Sequence, residues 1–152
     1  MNKLTGLISH KLSGVMVLLA VAGIGVSAYL MWGYTAPGAT LACGGSGGCE
    51  AVKNSEYANL LGIPLPLFGI ISFCAILALL VVQYWQSDHF SAYSALAIFS
   101  ITLAGGLYSA YLTYVELFVI YAICRWCVTS AVIMLTLFVL SIFNLRTQNQ
   151  LC

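Results

Sequence analysis

The stretch that decides the fold is PLPLFGIISFCAILALLVVQYW, Pro64 to Trp85, a run without one Asp, Glu, Lys or Arg. Crossing the hydrocarbon core of a bilayer takes about 20 predominantly apolar residues, and this run has that length. Outward from it, the pattern recurs at Leu12–Tyr34, Ala92–Val115 and Phe118–Phe143, the last interrupted only by Arg125. Each segment should be a helix, because a helix satisfies its own backbone hydrogen bonds where no water can. The whole chain agrees. Of its 152 residues, 62% are hydrophobic and 6% charged, against about 25% charged in a soluble domain. Mean hydropathy is +1.02. A net charge of +1 is too small to point to nucleic acid or an acidic substrate. The expected fold is an all-α integral membrane protein, a four-transmembrane-helix bundle forming a single domain over residues 1–152.

The first span has features of a cleaved signal: Lys3 and Lys11 precede it, and TLAC, Thr40 to Cys43, resembles a lipoprotein cleavage box. Its apolar run exceeds the 7–15 residues of a signal core, and Cys43 lies beyond it, after Pro37 and Gly38. It therefore reads as a retained span. Four spans put the N-terminus, the Gln86–Ser91 turn and the C-terminus on one side, with the Thr35–Ile63 loop and the connection near Glu116 on the other. Lys3, Lys11 and Arg146 fall on the first side, Lys53 and Arg125 on the second. This bias favours both termini in the cytoplasm and the long loop outside it.

That loop is the only sizeable polar segment, and function is expected there first. Gly44–Gly48 reads as a flexible tether. CEAVKNSEYANLLG, Cys49 to Gly62, reads as a short amphipathic helix closed by Gly62, with Pro64 and Pro66 in the first turn of the next span. The loop carries Cys43 and Cys49, and the last span carries CRWC, Cys124 to Cys127. Topology places all four cysteines on one face of the membrane. Two dithiols brought together exchange electrons by thiolate attack on a disulfide, and a helix N-terminus stabilises a thiolate in the tighter pair. Structural zinc and purely structural disulfides are alternatives, and a non-catalytic membrane binding or assembly protein would use the cysteines that way. No His accompanies them, since His10 and His89 fall on the opposite side. Cys74 reads as a buried small hydrophobe, and Glu116 as a solvated cap or interfacial residue at a span end, with a proton relay as the alternative. Gly105 and Gly106 read as a site of close helix packing.

The spaced combination C-x5-C-E (Cys43, Cys49, Glu50), S-x-Y (Ser55, Tyr57), G-x-P-x-P-x-x-G (Gly62 to Gly69) and C-x-x-C-x-x-S-A (Cys124 to Ala131) resembles the vitamin K epoxide reductase family, in its bacterial branch. The resemblance covers nearly the whole chain. It implies that Cys124 and Cys127 are the active-site pair, Cys43 and Cys49 the shuttle pair, and Ser55 a supporting residue near the redox centre. It further implies a membrane quinone, ubiquinone or menaquinone, as electron acceptor, bound beside Cys127 by Leu65, Phe68, Leu112, Ile120, Trp126 and Ala131, with no metal. Bacterial members oxidise a periplasmic thioredoxin-like partner, which implies a plasma-membrane protein with an extracytoplasmic redox loop. Many carry a fused thioredoxin-like domain; this sequence stops at Cys152, so a separate partner is expected. Leu65, Phe73 and Ala131 stand where vertebrate members carry an asparagine and two tyrosines, which sets this chain apart from vitamin K epoxide as substrate. The implied course runs from the partner's thiolate to Cys43, from Cys49 to Cys124, and from Cys127 to the quinone.

Overall fold

The structure, a computed structural model, describes residues 2–36, 48–55, 59–60, 62–85 and 89–151. In chain order it has α1 (Asn2–Thr35), the short α2 (Gly48–Lys53), strands β1 (Asn59–Leu60) and β2 (Ile63–Pro64), α3 (Leu65–Trp85), α4 (His89–Val115), a π-helical turn at Glu116–Ile120, and α5 (Arg125–Leu151). Among the described residues four helical segments are long and apolar enough to cross a membrane: Lys11–Thr35, Leu65–Trp85, Tyr93–Ile120 and Arg125–Arg146. They form the four-helix bundle that the sequence calls for. Each long helix packs on two others, in the ring α1, α3, α4, α5.

Apolar side chains do not drive this association once lipid is the solvent, so close fit and buried polar contacts must hold the ring. Met16, Ala20, Phe73, Ile76, Leu80, Ile98, Met134 and Leu137 fill its centre, while Leu18, Leu107 and Val132 stay exposed on the outside. Glycine makes the fit possible where helices come closest. A side chain at Gly23 would enter the Phe73 ring, and one at Gly105 would press on Met134 at 3.0 Å. Thr102 Oγ1 lies 3.2 Å from Ser141 Oγ, joining α4 to α5. Asn144 Nδ2 donates to Gln83 Oε1 at 3.2 Å, joining α5 to α3.

Four local features differ from the sequence reading. The last helix starts at Arg125 rather than near Phe118; Glu116–Ile120 continues α4 as a wider turn, and Tyr121 leaves it in the left-handed conformation (φ 53°, ψ 31°). The loop helix ends at Lys53, and Asn54 and Ser55 turn away from it. Ser55 competes for the helix's own acceptor, its hydroxyl donating to the Val52 carbonyl at 2.7 Å. Gly62 (φ 81°) closes no helix; it lies between β1 and β2, which pair antiparallel with Leu60 opposite Ile63, so Pro64 belongs to a strand. Cys74 is exposed on the outer face of α3 rather than buried. Cys43, the Gly44–Gly47 part of the tether, Tyr57, Leu61, residues 86–88 of the Gln86–Ser91 turn and Cys152 lie outside the described residues.

Candidate active site

Because α5 begins at Arg125, Cys124 occupies the helix N-cap. Its carbonyl accepts the Val128 N–H at 3.0 Å, and its Sγ accepts the Cys127 N–H at 3.3 Å. An oxygen of Ser, Thr, Asp or Asn usually fills this role; here a sulfur does. Cys124 is 1% exposed. The hydrogen bond from the Cys127 thiol, helped by the backbone N–H groups of Cys127 and Trp126, holds the Cys124 thiol below its ordinary range, against burial and the nearby charge of Glu116. Cys124 is thus the member of the pair suited to exist as a thiolate.

The segment that delivers Cys124 is organised by Glu116. Its carbonyl accepts the N–H groups of both Tyr121 and Ala122. Its side chain turns inward, so that the residue is 4% exposed, and Oε2 accepts the Cys124 N–H at 3.3 Å. The single proton of the Cys127 thiol has two acceptors within its reach, the Cys124 sulfur and this carboxylate. The sequence reading of Glu116 as solvated or interfacial is therefore corrected: the wider turn carries it under the start of α5. It is the only acidic residue within the four spans, and that was the available signal.

On the other side of Cys124 lies Cys49, 2% exposed, in one buried cluster with Cys124 and Leu30. The placement depends on Gly48. A side chain there would strike the carbonyl oxygen of Ile123, so only glycine lets the start of α2 lie against the segment leading to Cys124. This glycine is a positioning residue, not merely part of a flexible tether. Cys49 is disulfide-bonded, and Cys74, Cys124 and Cys127 are free thiols; the partner of Cys49 lies outside the described residues, as does Cys43.

Cys127 packs against the same cluster and also reaches a second space. It borders a cavity of about 140 Å³ inside the bundle, together with Leu65, Phe68, Leu112, Ile120 and Ala131. Trp126 is not part of this wall; its ring lies on Tyr29, centroids 4.8 Å apart, beside the Cys49–Cys124 cluster. The wall also contains Tyr34, Ser109, Thr113, Ser130 and Glu116, a polar share that an apolar reading of the spans did not resolve. Ser55 does not border the cavity and holds the end of α2 instead. Among the described residues no three His, Cys, Asp or Glu side chains are grouped to hold a metal ion.

The sequence matches the model of the vitamin K epoxide reductase family over residues 14–142. The chain belongs to that family. It is also 32% identical over 108 residues to the thiol-disulfide oxidoreductase LTO1 of Arabidopsis thaliana, a similarity that covers 68% of this chain and 29% of the relative. The chain thus spans well under half of that relative's length. Cys49, Cys124, Cys127, Glu116 and Gly48 all fall within the part that matches the vitamin K epoxide reductase family.

Proposed function

We propose that this protein is a membrane thiol:quinone oxidoreductase that reoxidises a separate, thioredoxin-like partner outside the cytoplasm and so sustains disulfide formation. In this reading residues 1–152 act as one domain, in a bacterial plasma membrane with both termini cytoplasmic. One arrangement carries the proposal: Cys124 is buried against Cys49, while Cys127, one helical turn on, borders a cavity that Cys49 does not reach. A pair placed in this way can take electrons on one side and release them on the other.

The steps follow from sulfur exchange. A partner thiolate attacks the Cys43–Cys49 disulfide at Cys43, and the partner's second thiol closes its own disulfide, leaving Cys43 and Cys49 reduced. Cys49 then gives up its proton, attacks Cys124 in the Cys124–Cys127 disulfide and expels Cys127, which takes up a proton to become a thiol. Cys43 attacks Cys49, re-forms the outer disulfide and expels Cys124. In this scheme the exchange leaves Cys49 in the outer disulfide and Cys124 and Cys127 as free thiols.

A bound quinone would accept two electrons and two protons and so restore the inner disulfide. The cavity suits such a ring: its volume of about 140 Å³ is close to that of a protein cavity that holds one benzene molecule, ~150 Å³. Leu65, Phe68, Leu112, Ile120 and Ala131 give it apolar walls, and Tyr34, Ser109, Thr113 and Ser130 give hydroxyls for carbonyl oxygens. Trp126 would act from outside, by packing the junction. Ser55 would support the shuttle by fixing the end of α2.

The test is anaerobic quinone reduction by purified protein, followed by ultraviolet absorbance, with two donors: a reduced thioredoxin-like protein and dithiothreitol. Cys127→Ala should abolish the reaction with either donor. Cys43→Ala should abolish it with the protein donor and spare it with dithiothreitol, which reaches the inner pair directly. Equal loss from Cys43→Ala with both donors would overturn the division into shuttle and active pairs.

A further inference from the structure

Glu116 is the one acidic residue within the four spans, and among the described residues no salt bridge reaches it. Among the described residues the one ion pair joins Lys53 to Glu50 at 4.0 Å. Burying a charge without a counter-charge costs several kcal/mol, so the residue must repay that cost in another way. Part of the answer is structural: Oε2 accepts the Cys124 N–H and thereby fixes the N-cap. A neutral Gln would do this as well. What Gln would not do is take a proton, and the second partner of the carboxylate, the Cys127 thiol, holds one.

We propose that Glu116 is the catalytic base of the inner pair, accepting the Cys127 thiol proton as Cys124 and Cys127 close into a disulfide. The inference rests on the thiol:quinone reading for its oxidant and on geometry for its residue. Cys124, at the helix cap and favoured as a thiolate, has already released its proton, so the last proton of the pair sits on Cys127. Glu116 and Cys127 border the same cavity, and the Glu116 carboxylate is anchored there on the Cys124 N–H at 3.3 Å. The π-helical turn that begins at Glu116 brings the carboxylate to this place; such turns recur at functional sites.

The balance is simple. The Cys127 proton passes to the Glu116 carboxylate, which becomes a carboxylic acid. The two sulfurs then give two electrons to the quinone and form one S–S bond. The quinone takes up two protons, one returned from Glu116 and one equivalent to that released earlier by Cys124, and becomes a quinol. Among the described residues, the titratable groups that interact with Glu116 are Tyr34 of α1, and Cys124 and Cys127 at the start of α5. Tyr34 interacts with both Glu116 and Glu50.

Glu116→Gln keeps the acceptor for the Cys124 N–H and removes the base. Dithiothreitol-reduced, full-length protein is oxidised across a pH series by a quinone or by diamide, a small azo oxidant that needs no cavity. Closure of Cys124–Cys127 is followed by alkylation and peptide mass spectrometry. General-base catalysis contributes typically 10²–10⁴-fold, so Glu116→Gln should be slower by about 100-fold or more near neutral pH with either oxidant. The gap should narrow as pH rises and hydroxide takes over the deprotonation. Wild type, and Glu116→Asp at lower amplitude, should lose rate toward acid along a one-proton titration that Glu116→Gln lacks. A Gln variant within about 3-fold of wild type, or slower by one factor at every pH, would overturn the proposal. If Glu116→Gln does not fold, the acid limb is compared between wild type and Glu116→Asp: a limb that moves with the carboxylate substitution supports the proposal, and one that stays where it is, as a limb set by Cys124 would, overturns it. Wild type that reacts with diamide on this pH profile but never with quinone would remove the quinone reading and leave the role of Glu116 in place.

Discussion

Gly48→Ala adds one methyl group, and the structure says where it goes: onto the Ile123 carbonyl oxygen, with the Ile123 carbonyl carbon and nitrogen only 3.1 Å and 3.3 Å away. Two effects oppose each other. Alanine is favoured over glycine inside a helix by up to ~1 kcal/mol, but α2 has only six residues and Gly48 is its first, so little of that gain applies. Forcing extra volume against backbone costs about 1–3 kcal/mol, and backbone cannot rotate aside. The clash wins. It falls on the state in which Cys49 is joined to Cys124, because a disulfide demands Cα atoms about 4.4–6.8 Å apart, whereas the unlinked loop can withdraw. At 1.4 kcal/mol per tenfold, the effective concentration of Cys49 at Cys124 should drop about 5- to 150-fold. The measurement uses the Cys43→Ser, Cys127→Ser background, which traps the Cys49–Cys124 link, equilibrated in glutathione buffers and read by peptide mass spectrometry. A folded Gly48→Ala protein whose effective concentration stays within twofold of its parent would refute the reasoning, because α2 would then not need its close approach.

Two further outcomes are expected. Because Cys124 is held below the ordinary thiol range by Cys127 and by the helix N-terminus, its reaction with a small alkylating reagent should persist to lower pH than that of a free cysteine, whose pKa is about 8.5; Cys127→Ala removes the largest contribution and should move the alkylation profile to higher pH, as read by peptide-resolved labelling. In intact cells after mild reduction, a membrane-impermeant thiol reagent should reach Cys43 or Cys49 and leave Cys152 unlabelled until permeabilisation, and labelling in the opposite order would reverse the proposed direction of electron flow.

The four spans were legible because length and apolarity alone specify them, and no detail of packing is needed to count to 20. Their ends were less legible for a physical reason. Leu117 to Ile120 is as apolar as the spans on either side, so hydropathy cannot mark where α4 widens and where Tyr121 reverses the backbone. The end of α2 was readable in principle: Asn54 and Ser55 are residues whose side chains compete for backbone partners, and Ser55 does so. Gly62 was read as a helix end, but a positive φ, here 81°, serves a helix end and a turn between strands alike. Cys74 shows a limit of composition. A bundle in lipid has apolar residues both inside and outside, so being hydrophobic does not say which face a side chain takes. Glu116 and Gly48 were hidden more deeply, because each acquires its meaning from a contact with the Ala122–Cys127 segment that only the folded chain makes.

The sulfur of Cys124 ties electron flow to the integrity of a helix end. As a thiolate it is a strong acceptor for the Cys127 N–H; within a disulfide, to Cys127 or to Cys49, it carries no charge and holds that N–H only weakly. The leading turn of α5 is therefore clamped when the pair is reduced and loosened when it is oxidised. Fraying at this end would alternate with each turnover, giving the backbone between Tyr121 and Cys127 the small freedom that two sulfurs need when they exchange partners. The rest of α5 is tied to its neighbours through Ser141 and Asn144, so such loosening would be confined to its first turn.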